Sequence, residues 1–128
     1  MKRPQHIELT PGGFEDAFFW ASSLGYHALF HAKATCGENA SSVCGAYAWS
    51  TDSFHWHSSA EPVYAGEMEW EDGTVSQLSA RQRPQLLFSE PTDGTDPVPV
   101  VLFNGVGGDQ PGQPPSGRTW TMAQPFRM

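Results

Sequence analysis

Between Phe14 and His31 two short apolar runs, residues 17–20 and 26–31, flank a turn of small residues that ends in Gly25. Runs of that length are too short for a stable helix and suit two strands joined in a tight β-hairpin. The same rhythm continues down the chain as short alternating segments separated by Gly, Pro, Asn and Asp, with no capped amphipathic stretch. The expectation is an all-β fold. Directly before the first run stand two adjacent acids, Glu15 and Asp16. Neighbouring strand side chains point to opposite faces, so at most one of the pair can serve a given site. Asp16 either caps the turn into the strand or is a single acid held at the mouth of a buried strand.

At 128 residues the chain is expected to form one domain, residues 1–128, large enough to bury a usable core. Its 13 Gly and 11 Pro interrupt helices, and its 12% aromatic content favours pleated surfaces. A formal net charge of −7 with no basic run argues against nucleic acid and anionic membrane surfaces as partners. No apolar run approaches the roughly 20 residues needed to cross a bilayer. The basic start, residues 1–6, lacks the apolar segment of a secretory signal. The two cysteines, Cys36 and Cys44, lie close enough in sequence for a local disulfide, and an oxidised pair would suit an extracellular setting. No metal or cofactor is expected, since His27 and His31 are not a helical pair and no further cysteine pair completes a zinc site. Asn39-Ala40-Ser41 matches the N-glycosylation acceptor.

Residues 1–13 read as an irregular lead-in, and residues 32–44 as a long polar loop. Residues 45–50 then alternate so that Tyr47 and Trp49 share a face, and residues 54–59 alternate Phe54 and Trp56 against a solvated His55 and His57. These complete a four-stranded meander over residues 17–59. Glu71-Asp72-Gly73 marks a hairpin between residues 63–70 and 74–79, with Glu67, Glu69 and Glu71 on its solvent face. Residues 85–88, 98–106 and 119–126 supply further strands, so a second sheet is expected over residues 63–126. Pro84 and Pro99 belong at strand starts or edges.

The segments also repeat. Residues 16–20, a turn and residues 26–31 are matched by residues 83–88, a turn and residues 100–105; a long loop and one more strand follow each. Repetition of up-and-down units, each too small to bury its own face, is the signature of propeller blades. The units are residues 14–60 and 61–128. In such a fold the residues leading each innermost strand, Glu15 and Asp16 in one unit and Arg81, Gln82 and Arg83 in the other, converge on the central channel.

Glu15-Asp16-Ala17-Phe18-Phe19-Trp20, residues 25–31, Ser50-Thr51-Asp52 with Trp56, Arg81-Gln82-Arg83-Pro84 and residues 102–106 resemble the blades of five-bladed β-propeller proteins of glycoside hydrolase families 43 and 32. The likeness runs from Phe14 onward and amounts to about two blades of five, a partial propeller. It implies a carbohydrate ligand, with Asp16 and Glu15 as the catalytic candidates, Asp16 being the acid that orients the sugar, and Arg81, Arg83, Gln82, His31, Asn104 and Trp20 as ligand-binding residues. Gln82 stands where related sequences carry an acid, and the family's first Asp belongs to a blade expected to have no counterpart before Met1. The implied function is therefore carbohydrate binding by a glycosidase-like unit without a complete catalytic set. The alternatives are a non-catalytic interaction module, a fragment that self-associates through open sheet edges, and an active glycoside hydrolase acting on plant or microbial polysaccharide. Trp20, Trp49, Trp56 and Trp70 are candidates for an aromatic sugar platform, or for the core.

Overall fold

The computed structural model describes residues 14–32, 44–108 and 119–127. Among these residues there is no helix, and every ladder is antiparallel. The strands are β1 (Phe14–Ser22), β2 (Gly25–Ala32), β3 (Cys44–Ser50), β4 (His57–Ser58), β5 (Glu67–Glu69), β6 (Val75–Gln77), β7 (Ala80–Phe88), β8 (Pro99–Gly107) and β9 (Thr119–Pro125). They form a four-stranded sheet in the order β1-β2-β3-β4, a β5-β6 hairpin and a three-stranded sheet in the order β7-β8-β9.

The meander expected over residues 17–59 is present, but its fourth strand is shorter than the alternation of residues 54–59 suggests. The Asp52 carboxylate accepts the backbone N–H groups of Phe54 and His55, each at 2.8 Å. Those donors are thereby withdrawn from a strand ladder, and only Ala48–Ser58 and Trp49–His57 pair. The second sheet expected over residues 63–126 is divided in two. The β5-β6 hairpin closes as foreseen, with the Asp72 side chain accepting from Thr74 N and Gly73 in the left-handed region at φ 80. It lays Met68 on Leu78, Val106 and Met122 of a small separate cluster and keeps Glu67 and Glu69 exposed.

Strand alternation sends Ala28, Phe30 and Ala32 to one face of β2 and His27, Leu29 and His31 to the other, and both faces are buried. Ala28, Phe30 and Ala32 face Ala48, Ala46 and Cys44 across the ladder and form one core cluster with Phe14, Ala17 and Trp56. Leu29, on the opposite face, joins Leu86, Leu102, Phe126 and Tyr64, with Phe18, Trp20 and Phe88 packed around them. This second cluster joins the two larger sheets, and β7 lies against β1, β2 and β3. Cys44 is buried and is not a free thiol; its expected partner, Cys36, lies outside the described residues.

The sequence repeat has a backbone counterpart. In β1 the ladder runs from Glu15–His31 to Phe18–Leu29, so Asp16 and Ala17 together face the single residue Phe30. In β7 it runs from Gln82–Gly105 to Gln85–Phe103, so Arg83 and Pro84 face Asn104. Each is a β-bulge, and its first residue has positive φ, 54 at Asp16 and 53 at Arg83.

Candidate functional site

Of the polar residues expected to converge, Arg81 packs on one the repeat does not mark, Tyr64, while Gln82 and Arg83 lie elsewhere. Gly45 stands opposite His31 in the β2-β3 ladder, and its missing side chain leaves a flat bed for a ring. Tyr64 fills it, held by a backbone bridge in which Gly45 N–H donates to the Tyr64 carbonyl at 3.0 Å and Val63 N–H to the Gly45 carbonyl at 2.8 Å. Over the other face of that ring, 4.6 Å from its centroid, lies the guanidinium of Arg81. Glycine, phenol and guanidinium thus form a three-layer stack in the seam between the sheets.

Arg81 is 2% exposed. Its Nε donates to Asn104 Oδ1 at 3.0 Å, Nη1 to the Ala65 carbonyl at 2.9 Å, and Nη2 to Gln124 Oε1. Asn104 Nδ2 donates in turn to the Gln82 carbonyl at 3.3 Å. Burial pulls Arg81 down to about 10, against the opposing influence of Tyr64, so the group stays cationic at neutral pH. Burial likewise drives the Tyr64 phenol above its ordinary range; Arg81 and Asn104 oppose that rise and Asp16 adds to it. Tyr64 is accordingly a neutral hydroxyl over the whole physiological range. Its hydroxyl, beside Asn104, makes no hydrogen bond of ordinary geometry.

The expected direct pairing of Asp16 with the arginines is not formed. Asp16 is exposed and belongs to neither ion pair of the described residues, Glu15–His31 at 3.8 Å and Asp52–His55 at 2.6 Å. Its position in the β1 bulge leaves the carboxylate near enough to Tyr64 to be felt electrostatically, while neutral oxygens take the Arg81 donors. Glu15 turns to His31 on β2, as alternation requires if its neighbour faces elsewhere. Glu15, Asp16, His31, Arg81 and Asn104 therefore belong to one neighbourhood, linked through Tyr64 and Gly45.

Gln82 and Arg83 are exposed and line an open cavity of about 470 Å³ on the outer face of the β7-β8-β9 sheet, with Gly105, Thr119, Trp120 and Thr121. Trp20 stands apart, near the β1-β2 turn. There it stacks on His27 with centroids 5.0 Å apart and meets the edge of Phe88 at 5.9 Å. His27, Tyr47, Trp49 and His57 continue the stack. Near-parallel rings at such spacings are offset-stacked, so Trp20 is one member of a packed aromatic row. His27 is fixed within it by Ser22 Oγ at 2.7 Å from Nε2 and the Tyr47 hydroxyl at 2.8 Å from Nδ1.

Tyr64 and Gln124 escaped sequence reasoning because each acts through a partner more than forty residues away or across the seam. The available signal was Gly45, an unfilled position in a strand otherwise carrying aromatic residues, which marks the close approach of another group. Among the described residues no cluster of His, Cys, Asp or Glu could hold a metal ion. The arrangement is a buried network whose Arg81 donors are taken up by Asn104, Ala65 and Gln124, with one exposed carboxylate, Asp16, at its rim. Compared with known protein families, curated proteins and solved structures, the chain matches none.

Proposed function

We propose that this chain is a carbohydrate-binding, glycosidase-like unit of two propeller-like blades without a complete catalytic set. The observation that carries the reading is the pair of bulges at equivalent positions of the two meanders, with Asp16 and Arg83 at φ 54 and 53. A side chain held in that region costs on the order of 1–3 kcal/mol, and such outliers cluster at active sites, ligand clamps and switch regions. Support also comes from the buried Arg81–Asn104–Tyr64 network behind Asp16. The resemblance to family 43 and 32 hydrolases assigns Asp16 the role of orienting the sugar. Hydrolysis needs two carboxyl groups about 5–9 Å apart, one protonated and one ionised. The amide of Gln82 in the second unit cannot supply that proton, so binding without turnover is the reading of choice.

The test is calorimetric titration with arabino- and fructo-oligosaccharides. Asp16→Asn is expected to weaken the binding of whichever series the parent takes up by about 10- to 100-fold, the loss of a hydrogen bond to a charged group. Unchanged affinity overturns the assignment of Asp16, and release of reducing sugar favours the active hydrolase. Self-association is a second reading, favoured by β9, the edge strand of the β7-β8-β9 sheet, which has no further ladder partner among the described residues. A sedimentation profile that stays monomeric over a wide concentration range would end it.

A further inference from the structure

We propose that the groove on the outer face of the β7-β8-β9 sheet receives the anionic substituent of an acidic saccharide, a uronic carboxylate or a sulfate ester, with Arg83 as its clamp. The inference rests on the carbohydrate reading above and adds the class of sugar. Gln82, Gly105 and Thr121 lie in one row across β7, β8 and β9 and so share a face. Because the middle position is glycine the row is hollow: a β-carbon there would come no nearer than 3.9 Å to the Gln82 carbonyl. The resulting cavity of about 470 Å³ falls within the roughly 300–1,000 Å³ typical of small-ligand sites.

The lining is what selects an anion. Arg83 is exposed, and it makes no ion pair or hydrogen bond with another described residue. Arg81, two positions earlier, has its donors committed to Asn104, Ala65 and Gln124, so the two arginines divide structural and ligand-facing duties. The bulge carries Arg83 out of the ladder register, and no Asp or Glu is among the described residues lining the groove. A guanidinium presents a planar fork that two anionic oxygens can accept together. Gln82 and the hydroxyls of Thr119 and Thr121 supply both donors and acceptors for ring hydroxyls.

The experiment compares oligogalacturonides with their methyl esters, and sulfated with desulfated galactan oligosaccharides, by calorimetric titration of the whole chain at low and high salt. The parent protein is expected to prefer one acidic member over its neutral counterpart by about 10- to 100-fold, with the preference shrinking in salt. The acidic member preferred identifies the substituent. Arg83→Gln should abolish the preference while leaving the far-ultraviolet circular dichroism spectrum unchanged, and Arg83→Lys, which keeps the charge without the fork, should retain part of it. Equal binding of acidic and neutral members by the parent overturns the inference, as does a preference that survives in Arg83→Gln. Asp16-dependent binding of neutral arabino- or fructo-oligosaccharides without any acidic preference overturns this inference alone. Failure to bind any saccharide overturns both readings.

Discussion

Substituting Gly45→Ala probes the three-layer stack directly, because the backbone at Gly45 does not require glycine and the effect is steric. An added β-carbon would lie 2.6 Å from Tyr64 Cδ1 and closer still to Cε1 and Cζ. Carbon atoms rest at about 3.5–4.0 Å, so the ring must withdraw by roughly 1 to 2 Å. It has nowhere to go. Its own backbone is tied to Gly45 and its neighbour's by hydrogen bonds of 3.0 and 2.8 Å, and Arg81 covers the far face at 4.6 Å. Overpacking of this kind costs about 1–3 kcal/mol, and displacing the guanidinium from the ring forfeits about 0.5–2 kcal/mol more. The sum, roughly 2–5 kcal/mol, is a large share of the 5–15 kcal/mol that holds an average domain together. For a chain of this size it should lower the thermal midpoint by on the order of 10 °C, read by circular dichroism and checked by urea unfolding. Gly73→Ala is the control, since nothing lies within 4 Å of its β-carbon and only the left-handed backbone is penalised. Gly45→Ala combined with Tyr64→Ala should cost less than the two single changes added together. A Gly45→Ala midpoint within about 2 °C of the parent would refute the stack.

Two further expectations concern pH and covalent structure. Burial holds the His27 imidazole below its ordinary value of 6.5, with Asp96 partly opposing, so the unfolded chain takes up that proton first. The stability His27 contributes is therefore complete above 6.5 and is lost as the pH falls below it. The fall in thermal midpoint between about pH 7 and 5 should accordingly be shallower in His27→Gln. His55, raised by its hydrogen bond to Asp52, acts in the opposite sense, so the difference between parent and variant is the readout, and identical slopes would remove His27 from the account. For the cysteines, mass spectrometry without reductant should find Cys36 and Cys44 joined and refractory to alkylation; closing so short a loop stabilises by about 2–3 kcal/mol, and two alkylated thiols would rule the bond out.

The all-β class, the opening meander and the acidic hairpin were legible in the sequence because each rests on local chemistry. Alternation assigns faces, Asp-Gly and Gly turns assign reversals, and the scarcity of capped apolar stretches removes helices. The sequence repeat aligned Asp16 with Arg83, but the matched bulges at those positions carry no common residue signal and were shown only by the strand register. Local chemistry misled at residues 54–59, where a period-2 pattern was present but Asp52 captured the backbone donors that a strand needs. What no stretch of sequence carries is the partner of a buried charge. Arg81 was expected beside Asp16, yet its donors are satisfied by Asn104, Gln124 and a carbonyl at Ala65, on segments 16 to 43 positions away. Tyr64 enters the site only because Gly45 leaves a ring-sized vacancy across the seam. A hydrogen bond or a stacked ring between distant segments depends on how two sheets are set against each other, and that setting is decided by the sum of apolar contacts around Leu29, Leu86 and Leu102 rather than by any local pattern.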